Sequence, residues 1–440
     1  MNTMIKNTWS VPQIKNTNFK ETHLLSQVIG VKKENKNEKR KPLNIAFVFD
    51  ISGSMGMVVS KQTNRQNVDK GPLEILRGYN QNGTVFSPSF YEQGQTKLDL
   101  VKQAALVALS GLEKNDIVSI VVFGSEAKVL IKGVSGDQQE TLSNIIKGIR
   151  TNGNTALFDG WSTGATCVAE NMKEGYINRV MLLTDGEANV GLTIPDEICS
   201  KVRALSDNDV TTSTFGVGNS YNEDLLQAMS ESGDANYYYI KDENNFESMF
   251  THEFGGLVNL VGRKVLLSLK SSGWKEFRLL NDFEKNKDGL YRLPNITTLA
   301  SIDLIFEGIP NEEKAEVKLE IFYDLADGSK EQINSSINAD TVHAEINDYK
   351  NQDVIDKVVL IKVANKKKEA VRALDSGNRE LAEKTLGIAR GFLATASAGV
   401  SSLQDGELSA LNSSLISGDN QVFRKSASYQ SYNARNNKSK

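Results

Sequence analysis

The chain has little cysteine, little proline, almost no histidine and no long apolar run, and each shortage removes a class of protein. Its 2 cysteines, Cys167 and Cys199, lack the paired spacing of zinc or redox motifs and fall in segments with helical periodicity. They read as buried small hydrophobes, so a disulfide-stapled secreted scaffold is excluded and a reducing compartment expected. No window approaches the roughly 20 apolar residues that cross a bilayer. The opening Met1-Asn2-Thr3-Met4-Ile5-Lys6-Asn7 lacks the apolar core of a signal peptide, and a cytoplasmic location is the expectation. The net charge of −4 gives no global pull toward nucleic acid or anionic membrane. Positive charge concentrates in the run 32–41 and in the tail after Gln421, which carries Arg424, Lys425, Arg435, Lys438 and Lys440. Both read as solvated segments. The 3 histidines (His23, His252, His343) stand apart from every motif described below, and neither a phosphate-cradling Gly-Lys-Ser/Thr loop nor a Ser-His-Asp arrangement is evident. The expectation is a protein that is not an enzyme.

What is present is an alternation. Asn44–Phe49 is a nearly continuous apolar run that stops at Asp50, the pattern of a strand buried on both faces. Leu98–Leu112 has helical periodicity, Ile117–Phe123 and Ala127–Ile131 read as strands, and Gln139–Gly148 and Ala156–Met172 as helices. Arg179–Thr184 is a second buried strand stopped by Asp185-Gly186. Helix Asp196–Ser206, strand Thr211–Val217, helix Asn222–Glu231, strand Asn236–Ile240 and a closing helix Phe246–Val261 follow. Such alternation implies βαβ crossovers and a doubly wound, mainly parallel α/β sheet over 43–262.

After Arg263 the grammar changes. Val265–Leu269, Lys275–Leu280, Thr297–Phe306 and Glu316–Tyr323 are strand-like, with a hairpin signal at Ala326-Asp327-Gly328-Ser329. This predicts an accessory antiparallel β domain, sandwich-like, over 263–348. The N-terminal segment 1–42 offers it one strand within Lys15–Lys32 and then a basic linker. Residues 349–418 read as a helical hairpin broken at Asp375-Ser376-Gly377-Asn378, and 419–440 as a basic tail.

Three short pieces carry the chemistry: Asp50-Ile51-Ser52-Gly53-Ser54 after the first buried strand, Gly153-Asn154-Thr155 at a helix entry, and Asp185-Gly186 after the strand ending at Thr184. Ligands of open parallel sheets bind outside the carboxyl ends of the strands, where all three can meet. Hard cations take oxygen ligands. Asp50 and Asp185 supply charge, Ser52, Ser54 and Thr155 neutral hydroxyls, and a shell rich in hydroxyls leaves the ion able to accept an external carboxylate. Mg²⁺ is the expected ion, with Mn²⁺ or Ca²⁺ as alternatives. Each piece alone is an ordinary turn or cap; their order and placement together are what speak for a metal.

Phe49-Asp50-Ile51-Ser52-Gly53-Ser54-Met55, Gly153-Asn154-Thr155-Ala156-Leu157 and Leu182-Leu183-Thr184-Asp185-Gly186 resemble the metal-ion-dependent adhesion site of von Willebrand factor type A domains. Thr214–Gly218, Tyr221–Leu226 and Asn236–Ile240 resemble the end of that domain in microbial intracellular members. The resemblance covers about half the chain, from Leu43 to Leu260. It implies that Asp50, Ser52, Ser54, Thr155 and Asp185 coordinate the metal, and that the protein is a cation-dependent binding module or scaffold capturing a partner's Glu or Asp. A metal-dependent hydrolase and a nucleic-acid-associated factor using the basic tail with Tyr429 and Tyr432 are the alternatives. One departure is the insert Gly56–Gln95, where the family has a short turn. It leaves from the metal loop, so a lid or specificity loop and a plain surface excursion are both open readings.

Overall fold

The computed structural model describes residues 3–10, 14–15, 21–31, 40–61, 94–186, 188–218, 221–240, 246–311, 314–325, 328–342 and 351–436. The middle of the insert, with Val85, Phe86, Phe90 and Tyr91, most of the basic run 32–41, His343, Lys438 and Lys440 lie outside the described residues.

The chain opens with strands β1 (Thr3–Trp9), β2 (Ile14–Lys15) and β3 (Thr22–Gly30) before entering the α/β unit. That unit runs β4 (Leu43–Asp50), a 3₁₀ turn at Gly53–Gly56, β5 (Val58–Lys61), β6 (Gly94–Thr96), α1 (Lys97–Ser110), β7 (Ile117–Phe123) and β8 (Ala127–Ser135). It continues with α2 (Gln139–Gly148), α3 (Leu157–Glu170), β9 (Ile177–Thr184), α4 (Pro195–Asp207), β10 (Val210–Val217), α5 (Glu223–Ser232), β11 (Tyr237–Ile240) and α6 (Phe246–Val258). The main sheet has the order β11-β10-β9-β4-β7-β8, all parallel except the edge strand β8. Every residue of β4 is buried, because helices cover both faces. Leu98, Val101, Leu142, Ile146 and Leu257 from α1, α2 and α6 pack on one side, and Leu157, Trp161, Ile198 and Leu225 from α3, α4 and α5 on the other. The doubly wound expectation holds.

The closing helix ends at Val258, and β12 (Leu260–Ser272) begins two residues later. The strand starts earlier than its apolar pattern indicates because Lys264 (φ 52°) and a register shift between Arg263 and Leu266 break the alternation. β13 (Trp274–Leu279), β14 (Tyr291–Arg292), β15 (Ile296–Thr297), β16 (Ile302–Pro310), β17 (Lys314–Leu325) and β18 (Lys330–Val342) follow. They form two sheets, β1-β3-β16-β13 and β14-β12-β17-β18-β2, which enclose Leu24, Val28, Leu267, Leu304, Phe306, Leu319 and Ile321. β3 is therefore a central strand of the sandwich, paired antiparallel with both β1 and β16. β18 has no counterpart in the apolar pattern, since among its residues whose side chains are described only Ile333, Ile337 and Ala339 are buried.

The helical hairpin expected at 349–418 begins with α7 (Gln352–Asp375) and α8 (Arg379–Phe392), and α9 (Ala398–Ser417) and α10 (Asn420–Arg435) complete the bundle. The segment read as a basic tail is, over most of its length, α10. It docks back on the α/β unit, with Tyr432 buried against Tyr237 and Lys425 bonded to Tyr221 O and Glu223.

Candidate metal centre

β4 lies between β7 and β9, so its last residue, Asp50, emerges at the centre of the sheet's carboxyl edge. Main-chain hydrogen bonds then tie the neighbouring loops to it. Ile51 N donates to Phe123 O (2.8 Å), Asn152 N to Ile51 O (2.5 Å), Gly53 N to Gly153 O (3.1 Å) and Ala156 N to Gly124 O (2.8 Å). Residues about a hundred positions apart in the chain thus share one wall.

On that wall the five expected side chains form a connected set. Ser52 N donates to Asp50 Oδ1 (2.8 Å), the hydroxyls of Ser52 and Ser54 are 3.1 Å apart, and Ser54 Oγ donates to Asp185 Oδ1 (2.8 Å). Thr155 closes the group. A Cβ placed on Gly186 would lie 3.1 Å from Thr155 Oγ1 and 3.3 Å from Asp50 Oδ2, so those two oxygens flank one point. Thr155 is held there by Asn189, whose Oδ1 accepts from Thr155 N (3.1 Å) and whose N donates to Thr155 O (3.3 Å). Asp50, Ser52, Thr155 and Asp185 are all buried.

A buried carboxyl beside a second acid resists ionisation. Burial raises the Asp50 carboxyl to about 6, with the Asp185 charge adding to the rise, against hydrogen bonds from Thr184 and Ser52 that pull it down. The donor set is two carboxylates and three hydroxyls, all oxygen, which fits a hard divalent cation and would relieve that repulsion.

Besides Asn189, sequence reasoning missed two participants. Thr184 Oγ1 donates to Asp50 Oδ2 (2.5 Å), orienting the carboxylate from the last position of β9. Lys97, the first residue of α1, sets its Nζ 2.5 Å from Asp185 Oδ2. Thr184 was available as the hydroxyl directly before Asp185; no local pattern marks Lys97. The insert's base is a short ribbon, with Val58 opposite Thr96 and Lys61 opposite Gly94, and it joins the serine loop directly to Lys97, whose N donates to Met57 O (3.0 Å).

Among the described residues, those behind the alternative readings are engaged elsewhere. His252 contacts the Tyr238 hydroxyl, and His23 lies in the sandwich beside Glu21 and Glu307, each 3.3 Å away. That acidic pair already holds a cation, since Lys362 Nζ is 2.5 Å from Glu307 and 3.1 Å from Glu21. In α10, Arg424 pairs with Glu223, Asp224 and Asp375, Lys425 with Glu223, and Arg435 with Glu231. Tyr429 and Tyr432 pack edge-on against Tyr237. No helix among the described residues is long and apolar enough to cross a membrane.

Comparison with known proteins agrees with this architecture. The family model for the von Willebrand factor type A domain matches residues 87–252. The match begins within the insert, so β4 and the serine loop lie before it and are joined to it by sheet register. The Escherichia coli K12 protein YfbK, uncharacterized, is 25% identical over 309 residues, covering 68% of this chain and 47% of that protein. The uncharacterized protein sll0103 of Synechocystis is 28% identical over 240 residues, covering 54% of this chain and 47% of its own. The chain thus spans about half the length of these relatives. Among solved structures, a von Willebrand factor type A protein from Catenulispora acidiphila superposes with a TM-score of 0.60 at 15% identity, covering 92% of this chain and 89% of that one. The ArnB paralog VWA2 from Sulfolobus acidocaldarius gives 0.56 at 15% identity over 98% of both chains. From sheet order, loop placement and these matches together, the chain carries a von Willebrand factor type A domain.

Proposed function

We propose that the protein captures a partner protein through a divalent cation, Mg²⁺ in the first instance, held by Asp50, Ser52, Ser54, Thr155 and Asp185. The observation that carries the reading is the connected set of oxygen donors at the carboxyl edge of the sheet, buried except for the half-buried Ser54, in which two acids are gathered with three hydroxyls. The bound ion would supply a Lewis-acidic position for a Glu or Asp carboxylate. The chain's own residues do the rest: Thr184 and Ser52 N fix Asp50, Asn189 fixes Thr155, and the insert's ribbon borders the same face.

Calorimetric titration with Mn²⁺ tests the metal half. Wild type should bind one ion per chain, and Asp50→Ala should lose it. Retention of partners from native lysate with Mg²⁺, its loss in EDTA and its absence with Asp50→Ala test the other half. Partner retention that ignores both EDTA and the substitution would refute the proposal.

A further inference from the structure

We infer that Lys97 is a fixed positive charge built into the metal site, weakening its hold on the cation and strengthening the loaded site's hold on the partner's carboxylate. The inference rests on the cation reading above and concerns a residue outside the five-donor set.

Lys97 is an improbable residue for its position on structural grounds alone. Only 6% of it is exposed, so its ammonium is stripped of most of its water, at a cost that a neutral side chain would not incur. It is also the first residue of α1, the positive end of the helix dipole, where a cation is disfavoured and an acid preferred. The local structure nonetheless fixes it there. Thr96 caps the helix in a reciprocal capping box with Asp99, and Lys97 N is bonded to Met57 O. The side chain runs through space left open by Gly218, the residue after β10, where a Cβ would come within 2.9 Å of Lys97 Cε.

The consequence lies in how Asp185 is divided. Ser54 Oγ holds Oδ1 at 2.8 Å and Lys97 Nζ holds Oδ2 at 2.5 Å. One carboxylate is therefore shared between the hydroxyl side of the site, where the cation would bind, and the Lys97 ammonium on the other side. The carboxylates of Asp50 and Asp185 against the Lys97 ammonium leave a formal charge of −1, which a divalent ion turns to +1. With a neutral residue in place of Lys97 the loaded site would be formally neutral. Like-charge repulsion at a separation of a few ångströms weakens cation binding. The same added charge attracts an external anion, so the site retains a demand that a partner's carboxylate meets.

The test uses the full chain and Mn²⁺ as probe, with paramagnetic resonance for affinity and water-proton relaxation for displacement of metal-bound water by acetate. Lys97→Met and Lys97→Gln are neutral variants of similar length, and Lys97→Arg restores the charge. Removing the charge should tighten Mn²⁺ binding by about tenfold and raise the acetate concentration needed for half-displacement by about threefold or more. Lys97→Arg should return both toward wild type. A lysine that merely props up the loop would shift Mn²⁺ affinity the other way when lost, so unchanged or weaker Mn²⁺ binding in whichever neutral variant keeps the wild-type circular dichroism overturns the inference. Failure of the cation reading is a different result: wild type that binds no Mn²⁺, or binding that survives Asp50→Ala.

Discussion

Helix α3 lies so close to β4 that a single methyl group should be felt at the proposed metal site. A Cβ on Gly164 would stand 2.3 Å from Val48 Cγ2, more than an ångström inside the 3.5–4.0 Å at which carbon atoms rest. Val48 cannot yield easily: it is fully buried in β4 and registered against Val121 on one side and Leu182 on the other. Two effects oppose each other in Gly164→Ala. Removing a glycine from a helix interior stabilises by about 1 kcal/mol. Overpacking a dense core costs about 1–3 kcal/mol, and a clash this deep against an immobile strand belongs in the upper half of that range. The net expectation is destabilisation by about 1–2 kcal/mol, although propensity alone predicts a gain. Urea unfolding of Gly164→Ala, Val48→Ala and the double variant measures it. The double variant should be more stable than the sum of the single changes by about 1 kcal/mol or more, because truncating Val48 makes room for the new methyl. Because α3 begins two residues after Thr155, lifting the helix should also weaken Mn²⁺ binding in the single variant. A Gly164→Ala protein as stable as wild type, with no coupling to Val48→Ala, would refute the packing argument.

Three further predictions concern charge. Lys425 is buried where its ammonium meets Glu223 and Tyr221 O, so Lys425→Met should cost about 2–3 kcal/mol, whereas Arg424→Met, a half-exposed partner of the same acid, should cost under about 1; equal losses in chemical denaturation would contradict the assignment of α10 as a buried dock. Glu307 is held at about 2 because hydrogen bonds from Lys362 and Arg278 outweigh the upward push of burial, while burial and the Lys362 charge lower His23. Both bind protons more weakly folded than unfolded, so their contribution is present above pH 6.5 and is lost as pH falls from there toward 2. The Glu307 part is at most about 3 kcal/mol before screening at the exposed Arg278, and Glu307→Gln should flatten the fall in melting temperature below pH 4.5; an unchanged slope would speak against the cluster. Finally, Mg²⁺ at about a hundred times its dissociation constant should stabilise the fold by about 2.7 kcal/mol, an increment that EDTA and Asp50→Ala both remove; a melting temperature indifferent to Mg²⁺ in wild type would leave the proposed site without an ion.

The residues themselves were enough to locate the α/β unit and the wall of the site. Continuous apolar runs ending in Asp50 and Thr184-Asp185 mark strands buried on both faces, and the carboxyl edge of a parallel sheet is where their terminal side chains meet. Those signals are local, written within eight or nine consecutive residues. What tertiary structure decided is everything that depends on partners far off in the chain. Ser54 meets Asp185 across 131 positions, Lys97 meets Asp185 across 88, and Arg424 meets Glu223 across 201. A lysine at a helix start or a run of basic residues near the end of a chain looks solvated when read alone, because nothing nearby in sequence neutralises it. Only the fold brings the acid that makes the lysine part of the proposed metal site and turns the basic segment into a docked helix.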